Sequence, residues 1–212
     1  MDGVYARTML TEPSPAALRR MRSPIGRIEV IGDGSAIVAL SIERDGELPH
    51  DSLPESPDPI VDAAIDQLEE YFHGTRRVFD LPVSTRGTTF QSAVWQQISR
   101  LGWGEIASYG ELGRGTGRAT AGRAVGGAVG ANPIPIIVPC HRILGSGGMI
   151  TGYSGGEGIP TKSWLLAHEG IPHRVPHDVS RGAAPTLFDT APPFATAPPF
   201  DVAAGAAESG AA

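Results

Sequence analysis

A single cysteine beside a histidine is the clearest candidate for chemistry in this sequence. Cys140 is the only cysteine of the chain, and it closes the run Asn132-Pro-Ile-Pro-Ile-Ile-Val-Pro together with His141 and Arg142. A thiol is nucleophilic as the thiolate, which a nearby imidazole can generate. A buried cysteine can also be inert packing. Because neighbouring side chains of an extended chain point in opposite directions, this pair needs a turn or a bridging water to interact.

A second unusual segment is helix-like but has little side-chain bulk. Residues 123–131 read Arg-Ala-Val-Gly-Gly-Ala-Val-Gly-Ala. Glycine inside a helix costs about 1 kcal/mol relative to alanine, so three glycines need a reason. One reason is tight packing of the helix in a core. The other is close approach to DNA in the narrow minor groove, with Arg123 inserted between bases.

The elements that position these residues begin with a small α/β unit. Alternating apolar residues predict strands over residues 18–22, 27–31 and 36–42, joined by Gly-containing turns. An acidic, Pro-rich loop then leads to a helix that starts at Asp58-Pro59, with Asp58 as N-cap, and runs through Phe72. We expect an N-terminal α/β domain over residues 1–84, in which the first sixteen residues show no clear pattern.

Residues 85–173 predict a second domain made mainly of helices. Capping-box spacing opens one helix at Thr88, which we expect to end at Gly102, and another at Ser108. A Gly-rich turn then leads to a third helix over about residues 120–131. Two short helices joined in this way indicate a helix-turn-helix.

The C-terminal part of the sequence predicts one more helix and a tail. The helix spans about residues 161–169. Residues 174–212 are rich in Pro and Ala, with two copies of Ala-Pro-Pro-Phe, and should be disordered because they cannot bury enough apolar surface.

Charge is distributed unevenly along the chain. The formal net charge is −6. Residues 43–80 contain eleven acidic side chains and three arginines, so their net charge is −8. Residues 100–142 contain five arginines and two glutamates, so their net charge is +3. The distribution is compatible with a nucleic-acid partner although the total charge is negative.

The sequence gives no sign of export, a membrane span or a metal. It has no run of 18 apolar residues, and the first ten residues lack the apolar core of a signal peptide. One cysteine is too few for a disulfide or a cysteine-based zinc site, and His173 and His177 lie among prolines rather than on a helix. We therefore expect a cytoplasmic monomer with no cofactor and no metal.

Six motifs, in order and spacing, resemble those of the O6-alkylguanine-DNA alkyltransferases. The resemblance runs from about Ser23 to Gly170. The motifs are Phe90-Gln-x-x-Val-Trp, Ser108-Tyr-Gly-Glu-Leu, Arg123-Ala-Val-Gly, Asn132-Pro-x-Pro, Pro139-Cys-His-Arg and Gly152-Tyr-Ser-Gly-Gly.

The resemblance implies both a fold and an activity. The fold is a small N-terminal RNase H-like α/β domain, a three-stranded antiparallel sheet plus a helix, followed by a mainly α, winged helix-turn-helix-like domain. The activity is DNA repair by stoichiometric transfer of an alkyl group from O6-alkylguanine in a flipped-out nucleotide to Cys140, with O4-alkylthymine as a second candidate substrate. The protein would be a single-turnover methylated-DNA–protein-cysteine methyltransferase, with double-stranded DNA as its partner.

The resemblance also assigns roles in DNA binding and base flipping. Arg123 would fill the gap left by the flipped nucleotide, and the helix face with Ala124, Gly126 and Gly127 would enter the minor groove. Tyr109 would crowd the 3′ phosphate and donate to N3 of the base.

Further roles concern the transfer itself and the base pocket. By resemblance, His141 takes the thiol proton through a water, and Glu169 orients His141. Asn132 would be the hinge between the DNA helix and the active-site strand. The base pocket would contain Val129 as an apolar wall, Tyr153, the N–H of Ser154 for O6, and the carbonyls of Cys140 and Ile143 for the exocyclic amine.

The sequence departs from the family pattern in two places. Gly122 stands where alanine is frequent, and about two extra residues lie within residues 157–161. The second departure borders the pocket and leaves the tolerance for larger alkyl groups open.

Other functions remain open at this point. One is a sensor that binds alkylated DNA without transfer, although known sensors of this kind have another residue in place of the cysteine. The others are a cysteine hydrolase with many turnovers and a simple transcription factor. In the tail, Pro185-Thr-Leu-Phe188 resembles short motifs that dock on sliding clamps, although chance can also produce such a match.

Overall fold

The N-terminal part of the chain is built on a three-stranded antiparallel sheet. The computed structural model describes residues 15–117 and 122–176. The strands are β1 (Ala17–Ser23), β2 (Gly26–Gly32) and β3 (Ile37–Ile42), in the order β1-β2-β3. Gly26 has a φ of +103° in the β1–β2 turn, a value that favours glycine. The predicted sheet is confirmed.

Helix α1 (Pro59–Phe72) covers one face of this sheet. Its N-cap is Asp58, whose carboxylate accepts from the N–H groups of Ile60 and Val61 at 2.8 Å each. The buried residues recur at helical spacing: Val61, Ala64, Ile65, Leu68 and Tyr71. Both ends of this helix agree with the sequence prediction.

The C-terminal part is mainly helical. Thr88 and Ser108 form the two predicted capping boxes. The elements, in chain order, are α2 (Thr89–Ile98), β4 (Ala107–Ser108), α3 (Tyr109–Gly115), α4 (Gly122–Gly130), β5 (Ile143–Leu144) and α5 (Ile159–His168).

Helix α2 ends earlier than predicted. It stops at Ile98 and not at Gly102. The Ser99 hydroxyl donates to the Trp95 carbonyl at 2.9 Å, and the N–H groups of Arg100 and Leu101 bond three residues back, at 3.2 and 3.1 Å. The backbone therefore tightens into turns after Ile98, and the apolar Leu101 follows the helix without belonging to it.

The segment that carries the cysteine also differs from the prediction. Cys140–Arg142 form one turn of 3₁₀ helix, not a strand. The Arg142 N–H donates to the Pro139 carbonyl at 3.0 Å, which closes the turn. The following residues form β5, which pairs in parallel with β4 through Ala107 and Ile143. Strands of two residues are too short to leave a periodic pattern in the sequence.

Several contacts join the two parts of the chain. The Leu40 N–H of β3 donates to the Pro133 carbonyl at 2.9 Å. One cluster of buried side chains runs from the sheet and α1 through α2 and α4 to Cys140. The sheet is thus packed against the segment that carries the cysteine.

Some sequence predictions fall outside the part of the chain that the structure describes. They concern the first fourteen residues, the predicted start of the third helix within residues 118–121, His177, the tail beyond residue 176 and its clamp-like motif. Among the described residues, no helix is long and apolar enough to cross a membrane.

Candidate active site

Cys140 lies at the wall of a cavity of about 560 Å³. Its side chain is 2% exposed. The cavity collects residues from α3, α4, the 3₁₀ turn, the loop before α5 and α5 itself. Of the residues predicted for the site, it brings together Tyr109, Gly126, Val129, Cys140, Tyr153 and Ser154.

The surroundings of the thiol decide its protonation state. Burial raises the pKa of the Cys140 thiol, while the amide of Asn132, the charge of Lys162 and the hydroxyl of Tyr153 act in the opposite direction. Because burial dominates, the resting thiol holds its proton. A nucleophilic attack therefore requires a base.

His141 has the arrangement of such a base. Its Nε2 lies 3.0 Å from Oε1 of Glu169, and both side chains are buried. Burial raises the pKa of Glu169, but hydrogen bonds from His141 and Arg142 outweigh it and lower the pKa to about 2. An ionised carboxylate only accepts, so we assign the proton to Nε2 of His141.

The other ring nitrogen of His141 is left as an acceptor. Nδ1 is buried and has no hydrogen-bond partner among the described residues. Burial also lowers the pKa of His141, so the imidazole is neutral at pH 7. The 3₁₀ turn supplies the change of direction that an extended Cys-His pair would lack.

Two residues that sequence reasoning missed complete this network. Arg142 binds the Glu169 carboxylate with two bonds, from Nε to Oε2 at 2.7 Å and from Nη2 to Oε1 at 2.8 Å. The Tyr71 hydroxyl of α1 donates to the same Oε1 at 3.0 Å. Arg142 is only 5% exposed, so its charge neutralises Glu169 and is not presented on the surface, although it was counted in the basic segment of residues 100–142.

Asn132 ties together the loop that leads to the cysteine. Its Nδ2 donates to the Val138 carbonyl at 2.7 Å, and its Oδ1 accepts from the Ile134 N–H at 3.1 Å. Within this loop the buried Ile136 has a φ of +73°, a strained value for a β-branched residue. The Asn132 bonds close the loop on both sides of this residue.

Lys162 is a third residue that the sequence analysis missed. It is 1% exposed and lines the cavity, and its Nζ donates to the carbonyls of Ile143 at 2.5 Å and Gly152 at 3.4 Å. Burial lowers its pKa to about 8. A signal was present in the composition, since this is the only lysine among 17 basic residues.

The remaining predicted pocket residue, Ile143, is placed differently from the others. Its side chain is fully buried and is not part of the cavity wall. Its carbonyl accepts from Lys162, while its N–H donates to the Cys140 carbonyl. Each carbonyl retains a second lone pair.

Helix α4 presents a surface with little bulk beside the cavity. Arg123, Ala124 and Gly127 are exposed, whereas Val125 and Val129 are buried. A Cβ added at its glycines would meet no heavy atom of the described residues within 4 Å. Tight packing inside the protein, the first explanation for these glycines, is therefore excluded for the described residues. Close approach of another molecule remains as the explanation for these glycines.

The fold and the site define a protein in which a small α/β part is packed against a mainly helical part, and the helical part carries a buried cysteine–histidine pair beside a cavity. Two family descriptions match these parts: the ribonuclease-like domain of 6-O-methylguanine DNA methyltransferase over residues 19–85, and its DNA-binding domain over residues 89–171. The chain belongs to the 6-O-methylguanine DNA methyltransferase family.

Relatives and solved structures agree with this membership. The methylated-DNA–protein-cysteine methyltransferase of Mycobacterium tuberculosis is 42% identical over 172 residues, which are 81% of this chain and 98% of the relative. That of Haemophilus influenzae is 39% identical over 153 residues, 71% of this chain and 84% of the relative. The fold is also similar to the crystal structure of M. tuberculosis OGT in complex with DNA, with a TM-score of 0.63 and 42% sequence identity. The match covers 72% of this chain and 91% of that chain.

Proposed function

We propose that this protein repairs DNA by transferring the alkyl group of O6-alkylguanine to Sγ of Cys140. The observation that carries the proposal is a buried thiol on a cavity wall, followed in a 3₁₀ turn by a histidine whose Nδ1 has no hydrogen-bond partner among the described residues. The relatives bear the name methylated-DNA–protein-cysteine methyltransferase, which describes the same chemistry.

The transfer is a displacement at the alkyl carbon. The thiol proton passes to Nδ1 of His141, directly or through a water, while Glu169 holds Nε2 and the ring orientation. The Sγ–C bond forms as the C–O6 bond breaks, and the electron pair leaves on the guanine. Tyr109 donates to N3 and the N–H of Ser154 to O6, so that the developing charge on the base is neutralised.

Lys162 acts on the same step through its charge. It lies in the cavity wall and lowers the pKa of the Cys140 thiol, so it favours the thiolate that develops during attack. The base itself is held by Val129 and Tyr153 on its faces and by the carbonyls of Cys140 and Ile143 at its exocyclic amine.

The reaction ends with the protein consumed. The thiolate of an alkylated cysteine is a poor leaving group, and no second step on this site regenerates the thiol. A cysteine hydrolase would instead release its product and turn over many times. The presence of Cys140 and the names of the relatives disfavour a sensor that binds without transfer.

DNA approaches along α4 in this proposal. The target nucleotide turns out of the duplex into the cavity, and Arg123 takes its place in the stack. The exposed Ala124 and Gly127, together with Gly126 at the cavity, let the helix lie close to the groove.

Substitutions at Gly127 test this arrangement, because stability and DNA binding should change in opposite directions. Gly127→Ala should stabilise the free protein by up to about 1 kcal/mol, since the site is helical and has space for a Cβ. Gly127→Leu should leave the protein folded and weaken binding to a duplex at least about tenfold, because the side chain occupies the groove contact. Thermal unfolding and fluorescence anisotropy measure the two effects. Unchanged duplex affinity of Gly127→Leu would contradict this placement of α4.

The stoichiometry of repair tests the proposed function itself. Protein is mixed with an excess of duplex that contains one O6-methylguanine, and repaired duplex is measured over time. We expect a plateau at one repaired lesion per protein chain. Repair that continues beyond the plateau would support the hydrolase instead, and tight binding without repair would support the sensor.

We further propose that the protein acts as a cytoplasmic monomer and that the domains divide at 1–84, 85–173 and 174–212. A contact of the tail with a sliding clamp, through Pro185-Thr-Leu-Phe188, is a separate proposal. Deletion of residues 174–212 should weaken clamp binding, and unchanged binding would refute this contact.

A further inference from the structure

A tight turn at the end of β3 reaches from the N-terminal sheet to the cavity. Arg44 and Glu47 exchange both backbone hydrogen bonds, at 3.1 and 3.0 Å. Between them, Asp45 has a φ of +53° and Gly46 a φ of +83°. Positive φ at both central residues is the geometry of a type I′ turn, for which Asp-Gly is a preferred sequence. The turn is therefore a rigid projection of the sheet.

This turn binds the loop that forms one side of the substrate cavity, here called the pocket loop (residues 151–158). Nε of Arg44 donates to the Gly156 carbonyl at 2.6 Å, and Nη2 donates to the Ser154 carbonyl at 3.0 Å. The Asp45 N–H donates to Oε1 of Glu157 at 2.8 Å. Three bonds thus connect the turn and the loop, and two of them use a guanidinium whose donors lie in a fixed plane.

The end of β3 supports the same loop by close packing. A Cβ added at Gly156 would lie 2.9 Å from Cγ2 of Ile42, and one added at Gly155 would lie 3.3 Å from Cδ1 of Ile42. Gly156 also has a φ of +49°. The pocket loop therefore lies on the strand end at a distance that only glycine permits, and Arg44 fixes it there.

The N-terminal half of the pocket loop borders the cavity. Thr151, Gly152, Tyr153 and Ser154 all line the cavity that contains Cys140. The loop has no regular secondary structure, so its position depends on contacts such as these. Glu157 lies in the part of the chain that is about two residues longer than the family pattern, so the bond to Asp45 involves the very segment that departs from that pattern.

We propose that Arg44 and Asp45 are positioning residues that set the width of the alkyl pocket and thereby determine which alkyl groups are transferred. This inference rests on the proposed function. With the turn bound to the pocket loop, the Ser154 N–H stays within hydrogen-bonding distance of O6 and the cavity remains narrow. With the turn released, the pocket loop moves outward, which harms transfer of a small group and makes room for a larger one.

The test compares two substrates in single-turnover reactions of the full chain. Second-order rate constants are measured for duplexes that contain O6-methylguanine or O6-butylguanine. For Arg44→Ala we expect the methyl rate to fall about three- to tenfold, as for the loss of two charge-assisted hydrogen bonds that position a substrate contact. The butyl rate should fall less or rise, so that the butyl-to-methyl ratio increases at least about threefold.

Three further variants make this test specific. Arg44→Lys keeps the charge but not the planar pair of donors, so its ratio should be intermediate. Glu157→Ala removes the bond to Asp45 from an exposed position and should shift the ratio in the same direction by a smaller factor. Arg76→Ala is the matched control, because this arginine binds Glu70 and the Val78 carbonyl away from the cavity, and its ratio should equal that of the unaltered protein.

The outcomes separate this inference from the proposed function. An unchanged butyl-to-methyl ratio in Arg44→Ala and Glu157→Ala overturns the inference, even if both rates fall together, because an equal loss indicates a structural role alone. If Arg44→Ala does not fold, the ratio of Glu157→Ala decides. Absence of methyl transfer by the unaltered protein refutes the proposed function instead.

Discussion

Replacing Glu169 by glutamine is expected to slow alkyl transfer by about 10²- to 10³-fold, which is the lower part of the roughly 10²- to 10⁴-fold range that a positioned general base such as His141 contributes. The amide presents donors as well as an acceptor, so it no longer fixes the proton on Nε2 of His141 and no longer holds Nδ1 as the acceptor. Arg142 Nε and Nη2 donate to both carboxylate oxygens of Glu169, so the NH₂ group of a glutamine would place a second donor against one of these donors. Single-turnover transfer from an O6-methylguanine duplex measures the loss.

The same substitution should destabilise the protein by about 3–5 kcal/mol, because it leaves the buried Arg142 without its partner charge.

The substitution of Glu169 should also change the acid dependence of stability. The pKa of Glu169 is lowered to about 2 in the folded protein, against about 4.3 for an unperturbed glutamate. Its contribution to the free energy of unfolding is therefore complete above about pH 4.3 and is lost as the pH falls toward 2. Urea denaturation at several pH values should show this loss in the unaltered protein and not in Glu169→Gln.

Two controls distinguish this buried network from ordinary surface pairing. Glu70→Gln removes an exposed carboxylate that pairs with Arg76, and its stability should change little. The double variant Glu169→Gln/Arg142→Met should be less destabilised than the sum of its single variants, because both charges leave together. Additive losses would contradict the coupling between Arg142 and Glu169. A transfer rate unaffected by Glu169→Gln would contradict the role of Glu169 in orienting His141.

Replacing Cys140 is expected to abolish transfer while the protein remains folded. Cys140→Ser keeps the shape of the side chain but offers a hydroxyl, which the His141 network does not ionise as it does a thiol. Cys140→Ala removes the nucleophile and one buried atom, and we expect a stability change of about 1 kcal/mol. Both variants should bind alkylated duplex as tightly as the unaltered protein, since α4 and Arg123 are untouched. Single-turnover transfer and fluorescence anisotropy measure these effects, and residual transfer by Cys140→Ala would contradict a cysteine nucleophile.

Features that depend on neighbouring residues could be predicted from the sequence. The N-cap of α1 at Asp58 and the capping boxes at Thr88 and Ser108 act within three residues along the chain, so the sequence contains their whole cause. The alternation of the three strands is local in the same sense. The C-terminal end of α2 was mispredicted because Leu101 keeps the apolar spacing after the backbone has left the helix.

Features that depend on distant residues could not be predicted in this way. Tyr71 meets Glu169 across 98 residues of sequence, and Arg142 meets it across 27. The pairing of β4 with β5 joins segments of two residues. The sequence analysis counted Arg142 with the basic segment of residues 100–142 and passed over Lys162, because burial of a charge is decided by packing.

The placement of the site residues came from the resemblance more than from periodicity. Spacing alone put Cys140 and His141 side by side but could not show the 3₁₀ turn. The glycines of α4 had two explanations in the sequence, of which tight packing in a core is ordinarily the favoured one. The free space around their added Cβ atoms distinguished between them.

The central claim is that the alkyl group of the damaged base ends on Cys140, and peptide-resolved mass spectrometry tests it most directly. The protein is incubated with a duplex that contains one O6-methylguanine, then measured intact and after digestion, with Cys140→Ala as the control. We predict one added methyl group per chain, located on the peptide that contains Cys140, and none on the control. An unchanged mass after the lesion has been repaired, or a methyl group on any other residue, would contradict the account.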